Sequence, residues 1–116
     1  MIADDEDFTR EHLARLIKRR GCDVCTAEDG KAAVEMFKQQ NPGLVFLDIH
    51  MPKMAGDAVF AVIKEIDPAV KVYFMTGSEP DVKNLQEQNV AANGYLLKPI
   101  DIEIFIQIID AYKTAC

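Results

Sequence analysis

Polar side chains interrupt several apolar runs of this chain at positions where chemistry could be done: Asp4 and Asp5 after Met1-Ile2-Ala3, Asp48 after Leu44-Val45-Phe46-Leu47, Thr76 after Val72-Tyr73-Phe74-Met75, and Lys98 after Tyr95-Leu96-Leu97. Carboxylates brought together repel one another, and without a cation at least one has its pKa pushed up. A hard divalent ion resolves that conflict. Mg²⁺ (or Mn²⁺) takes oxygen ligands, needs only one or two carboxylates, and completes its shell with waters and phosphate oxygens. An ammonium opposite the acids and a hydroxyl beside them suit the oxygens of a phosphoryl group. The chemistry open to such a set is phosphoryl transfer to a carboxylate, in which a protein contributes positioning and charge neutralisation. The plain alternative is scattered surface acids with an Asp-Asp helix cap. Agreement of residue type, spacing and strand-end placement argues against it.

These residues need elements that bring them to one edge. The hydrophobic pattern alternates short apolar runs with helical periods along the whole chain, without repeat or linker. It predicts strands at 1–3, 23–27, 44–48, 71–76 and 94–97, and helices at about 7–20, 30–40, 56–66, 81–88 and 102–113. Gly21, Asn41-Pro42-Gly43 and Asp67-Pro68 punctuate them. Five strands alternating with five helices through short loops predict one doubly wound α/β domain over 1–116, with helices on both faces of a parallel sheet. In such sheets ligands bind beyond the carboxyl ends of the strands, where strand order reverses. Asp4, Asp5, Asp48, Thr76 and Lys98 all fall at that edge.

The motifs Asp4-Asp5-Glu6, the run from Leu47-Asp48 through His50-Met51-Pro52-Lys53 to Gly56, Met75-Thr76-Gly77, and Gly94-Tyr95-Leu96-Leu97-Lys98-Pro99 give the chain its resemblance to the receiver domain of bacterial two-component response regulators. The resemblance implies a flavodoxin-like (βα)5 fold with strand order 2-1-3-4-5. It implies that Asp48 is the phosphoacceptor, fed by a histidine kinase or histidine phosphotransfer protein. It implies that Asp4, Asp5, Asp48 and the backbone carbonyl of His50 hold Mg²⁺, Asp4 mainly through water. Thr76 and Lys98 would hold phosphoryl oxygens, Thr76 and Tyr95 would form the switch, and His50 and Ser78 would tune phosphoryl lifetime. The Lys98-Pro99 bond is expected to be cis. Two features depart from the family pattern: only three residues precede Asp4, and Ala55 stands where Asp is common.

Composition bounds the partners. With 13 Lys and Arg against 19 Asp and Glu, the formal charge is −6, and the pI is near 4.8. An acidic chain does not neutralise phosphate backbones, so direct binding of nucleic acid is not expected. No apolar run approaches the ~20 residues that span a bilayer, no leader opens the sequence, and the three cysteines are too few and odd for a disulfide framework. A reducing cytoplasm is the expected location. Cys22 and Cys25 form a C-x-x-C, but neighbours three apart on a strand face opposite ways and no second pair exists, so both read as ordinary thiols, as does the terminal Cys116. His12 is expected on a solvated helix face.

In the last helix, Ile102, Phe105, Ile106 and Ile109 form a core stripe on a 100° wheel, and Ile104, Ile108 and Tyr112 form a second. The second stripe fits either a neighbouring helix or a surface for a homodimer or effector on the face made by helix 4, strand 5 and helix 5. The chain stops after this helix, which is read as a free-standing receiver or a piece of a larger regulator or hybrid kinase. Two rival functions share the architecture. A flavodoxin-like FMN carrier needs amide and hydroxyl donors after strand 1, where Asp-Asp-Glu stands. A Mg²⁺-dependent phosphohydrolase needs an Asp-x-Asp pair that is missing. The expected function is a phosphorylated signalling switch, not an enzyme of substrate turnover.

Overall fold

The computed structural model describes residues 1–88 and 90–115; Cys116 lies outside the described residues. Five parallel strands, β1 (Ile2–Ala3), β2 (Thr26–Ala27), β3 (Leu44–Asp48), β4 (Lys71–Thr76) and β5 (Gly94–Leu97), form one sheet in the order β2-β1-β3-β4-β5. They alternate with α1 (Asp7–Arg19), α2 (Gly30–Gln40), α3 (Gly56–Ile66), α4 (Glu79–Glu87) and α5 (Ile102–Ala115). The chain leaves β1 outward to β2, then returns past it to β3, so strand order reverses between β1 and β3. Among the described residues no helix is long and apolar enough to cross a membrane.

The two-residue period of the strands sorts their side chains into two cores. Ile2, Phe46 and Met75 face Leu13 and Ile17 of α1 and Phe105 and Ile109 of α5. Ala3, Val45, Leu47, Val72 and Phe74 face Ala33 and Phe37 of α2, Val59 and Ile63 of α3, and Leu85 of α4. Ring pairs tie the layers together, with Phe46 and Phe105 centroids 4.6 Å apart and Phe60 and Phe74 5.4 Å apart. Each large side chain buried this way contributes about 1.5–3 kcal/mol relative to exposure. Cys25 packs with one core and Cys22 with the other, and both are free thiols; the pair faces opposite ways as expected, although both residues precede β2 instead of lying on it.

β1 is short yet pairs on both sides, Ile2 with Thr26 and Phe46, Ala3 with Ala27 and Leu47. Backbone bonds beyond the strand lengthen this pairing: Phe46 donates to the Met1 carbonyl and Asp4 to that of Ala27. The brevity of β1 also explains why β2 covers Thr26–Ala27 instead of 23–27, since an edge strand extends only as far as it has a partner. α4 begins at Glu79, two residues earlier than expected, because Pro80 falls in its first turn, where no backbone donor is needed. α5 runs two residues longer than expected, to Ala115. Ile102, the first residue of α5, is 38% exposed and does not join the core stripe, which begins with Phe105 in the next turn. His12 is half-buried and stacks on Phe8 at 5.9 Å between centroids; it is not on an open face. Ala55 is the residue before α3 and supplies no side-chain cap.

Candidate functional site

Strand ends assemble the site. Asp48 closes β3 and Thr76 closes β4, while Asp4 and Lys98 directly follow β1 and β5. Asp4, Thr76 and Asp48 are 0%, 1% and 5% exposed, so three polar side chains are held among apolar neighbours at the reversal of strand order. Asp5 is exposed at the mouth. Carboxylate oxygens of Asp4, Asp5 and Asp48 all lie within 4.8 Å of one another. Gly56 at the start of α3 lets the loop after β3 fold back on the site, because any Cβ there would collide with the Asp48 carbonyl oxygen.

Lys98 Nζ stands between two acids, 2.8 Å from Asp4 Oδ2 and 3.2 Å from Asp48 Oδ2. It donates a hydrogen bond to Asp48. Its contact with Asp4 Oδ2 is an ion pair only, and that buried oxygen has no hydrogen-bond partner. The other Asp4 oxygen accepts from the Glu6 N–H at 2.9 Å, and Arg10 of α1 fixes the Asp4 carbonyl at 2.9 Å. Asp48 Oδ1 accepts from the His50 N–H at 3.1 Å. Burial, then the charge of Asp4, pushes the Asp48 carboxyl up to about 6 against the opposing pull of Lys98. Burial of the Lys98 ammonium works to lower its pKa, but the contact with Asp4 and the charges of Asp48 and Asp4 outweigh it and hold it above the usual lysine value. The peptide bond from Lys98 to Pro99 is cis.

Beside these acids lies a hydroxyl network. Thr76 Oγ1 donates to Asp81 Oδ2 at 3.0 Å and accepts from the Ser78 N–H at 3.2 Å. His50 Nε2 lies 2.7 Å from the same Asp81 oxygen, on a side chain that is 73% exposed. Ser78 precedes α4 and makes no side-chain cap. Tyr95 on β5 is half-buried, stacks on Phe74 at 6.0 Å and donates to the Val90 carbonyl at 3.2 Å. Of the second stripe on α5, Ile104 is 45% exposed. Ile108 packs against the α1 and α5 core, and half-buried Tyr112 has the Lys71 ammonium 6.0 Å from its ring centroid.

The structure therefore brings Asp4, Asp5, Asp48 and Lys98 into one cluster, ties Thr76 and His50 to each other through Asp81, and keeps Tyr95 and the α5 stripe apart from both. Asp81 is the residue that sequence reasoning missed. Its signal is Ser78-Glu79-Pro80-Asp81, a Ser-x-x-acid helix start that would have put Asp81 in the first turn of α4.

Whether the site suits a divalent ion can be judged on its own atoms. Three carboxylates against one ammonium leave two negative charges unbalanced. The donors are all oxygen, one of them buried without a hydrogen bond, and Asp5 keeps the cluster open to water. That set fits a hard, partly hydrated cation and does not fit a soft metal. An anionic flavin phosphate would meet these same carboxylates after β1, which disfavours an FMN carrier.

A family model described as the response regulator receiver domain matches residues 1–110. The chain is 30% identical over 115 residues to the chemotaxis protein CheY of Halobacterium salinarum, covering 99% of this chain and 96% of that one. It is 30% identical to Protein PilG of Pseudomonas aeruginosa, covering 97% and 84%. With the transcriptional regulatory protein LnrK of Bacillus subtilis, identity is 33% and the match spans only 50% of the relative's length. A crystal structure of the response regulator protein TrrA of Thermotoga maritima in complex with Mg²⁺-BeF superimposes with a TM-score of 0.83 at 28% identity, covering 95% of this chain and 94% of that one.

Proposed function

Because this chain belongs to the response regulator receiver domain family and is a phospho-accepting signalling module of two-component systems, we propose that Asp48 is its phosphoacceptor and that the surrounding side chains divide the work of phosphoryl transfer. An Asp48 carboxylate oxygen attacks the phosphorus of the donor. The new P–O bond forms as the bond to the leaving group breaks, and the product is an aspartyl phosphate. Lys98 pairs with phosphoryl oxygens it already stands ready to meet, and the Thr76 hydroxyl donates to another. Asp4, Asp5, Asp48 and the His50 carbonyl would hold Mg²⁺, which when bound supplies neutralisation of the charge on the transferring group. His50 and Ser78 flank the approach of hydrolytic water and set how long the phosphoryl survives.

The observation that carries this reading is the placement of Lys98 between Asp4 and Asp48 at the reversal of strand order. The neighbour bound to Mg²⁺-BeF supports the same choice of ion. The donor would be a histidine kinase or histidine phosphotransfer protein. The whole of 1–116 acts as one receiver unit, and the output leaves through Thr76 and Tyr95 toward the surface of α4, β5 and α5, either to a protein partner or to a second copy. Within this reading the site runs its own phosphorylation and dephosphorylation and does not turn over small phosphate esters. Acetyl phosphate with Mg²⁺ tests it by intact mass: the parent gains one phosphoryl group and Asp48→Asn gains none, whereas equal labelling of both would remove Asp48 from its role.

A further inference from the structure

The carboxylate of Asp81 takes part in no step described so far, yet it holds two residues that do. Asp81 lies in the first turn of α4 and its Oδ2 reaches back to Thr76 Oγ1 at 3.0 Å. The same oxygen is 2.7 Å from the His50 ring, which belongs to the loop after β3. One atom thereby joins the end of β4, the start of α4 and the segment following Asp48.

The direction of the Thr76 bond is settled by inventory. The Asp81 carboxylate has both the Thr76 hydroxyl and the His50 ring within hydrogen-bonding distance of one oxygen. An ionised carboxylate only accepts, so the shared proton is the threonine's. The Ser78 N–H already occupies a lone pair of that hydroxyl at 3.2 Å. Thr76 is 1% exposed and has a single proton to give. A phosphoryl oxygen on Asp48 would need that proton. Two acceptors therefore compete for one donor, and both bonds cannot exist together.

We propose that Asp81 is a positioning residue that latches Thr76 in the unphosphorylated protein, so that binding a phosphoryl group breaks the Thr76 to Asp81 bond and leaves Asp81 to His50. This rests on the reading of Thr76 as a donor to the phosphoryl. The latch biases a two-state equilibrium toward the resting state, and its release frees the first turn of α4 from the end of β4.

Beryllofluoride with Mg²⁺, a noncovalent stand-in for the phosphoryl group, is the probe. Asp81→Ala tightens its binding about fivefold, the size of one ordinary net hydrogen bond no longer forfeited. In a Thr76→Val background the same substitution changes nothing, because no proton is left to compete for. Asp81→Asn keeps an accepting oxygen and stays within about twofold of the parent. Equal tightening by Asp81→Ala in both backgrounds would mean that only a negative charge had been removed, and would overturn the latch. So would unchanged or weakened binding in the Thr76 background. A second readout needs no ligand: the Hα–Hβ coupling of Thr76 in the metal-free protein reports one side-chain rotamer in the parent and an average in Asp81→Ala. Identical couplings refute the latch. A parent that takes up no beryllofluoride refutes instead the reading of the site, leaving the coupling to judge the latch.

Discussion

Two polar networks share one edge of this sheet and are built on different physics. Around Asp48, charge dominates: three acids and one ammonium are crowded at the end of β1, β3 and β5, and the buried oxygen of Asp4 lacks a hydrogen bond. Around Thr76, hydrogen bonds dominate: a hydroxyl with both functions occupied, a carboxylate shared with an imidazole, and more access to water. The first network carries excess negative charge until something positive arrives. The second is satisfied until something competes for its proton. On the reading proposed above, a cation relieves the first and a phosphoryl group on Asp48 disrupts the second, which would carry a change at one carboxylate to the surface.

The harshest way to break the contrast is to delete the ammonium. Lys98→Met leaves two buried carboxylates without their counter-ion, and removing one partner of such a pair costs about 3–5 kcal/mol. Thermal unfolding with chelator present should show that loss. Added Mg²⁺ should recover more stability in this variant than in the parent; equal recovery would mean that Lys98 and the cation do not neutralise the same charges.

A milder probe uses pH. The Asp48 carboxyl is raised to about 6 in the folded protein from an ordinary value of 3.8. A raised carboxyl favours folding below the unfolded pKa, and that advantage is lost as pH rises through the folded one. In chelator, the parent should therefore lose stability relative to Asp48→Asn between about pH 4 and 6 and stay at a constant deficit above, amounting to at most ~3 kcal/mol. A gap that does not change with pH would show that Asp48 is not destabilised by its neighbours. The smallest effect should come from the other network: His50→Ala opens the approach to the phosphoryl and should hasten its hydrolysis about threefold, well short of the loss from Lys98→Met. Unchanged dephosphorylation would take His50 out of lifetime control.

The two networks also differ in how readable they were before the fold was known. A lone Asp, Thr or Lys at the end of an apolar run stands out, and parallel strands joined by short helices send all such ends to one edge, so Asp4, Asp48, Thr76 and Lys98 could be found by type and spacing. Asp81 could not be found that way, since its role depends on where α4 begins: the helix was expected from about 81, whereas it starts at Glu79 and puts Asp81 in its first turn. The length of β2 was hidden for a related reason: pairing belongs to two strands at once, and β1 sets it. On α5 the wheel gave the correct face for Phe105 and Ile109 but says nothing of how far along the helix the packing extends, and Ile102 at its start is exposed. What is legible is local pattern; what is not is a contact whose partner lies on another element.

The account stands or falls on the identity of the acceptor. Protein labelled with acetyl phosphate and Mg²⁺ can be reduced with borohydride, which converts an aspartyl phosphate to homoserine, and then digested and sequenced by mass spectrometry. Homoserine at position 48 and nowhere else is the predicted result. An intact aspartate at 48, with the conversion at another residue, would contradict it.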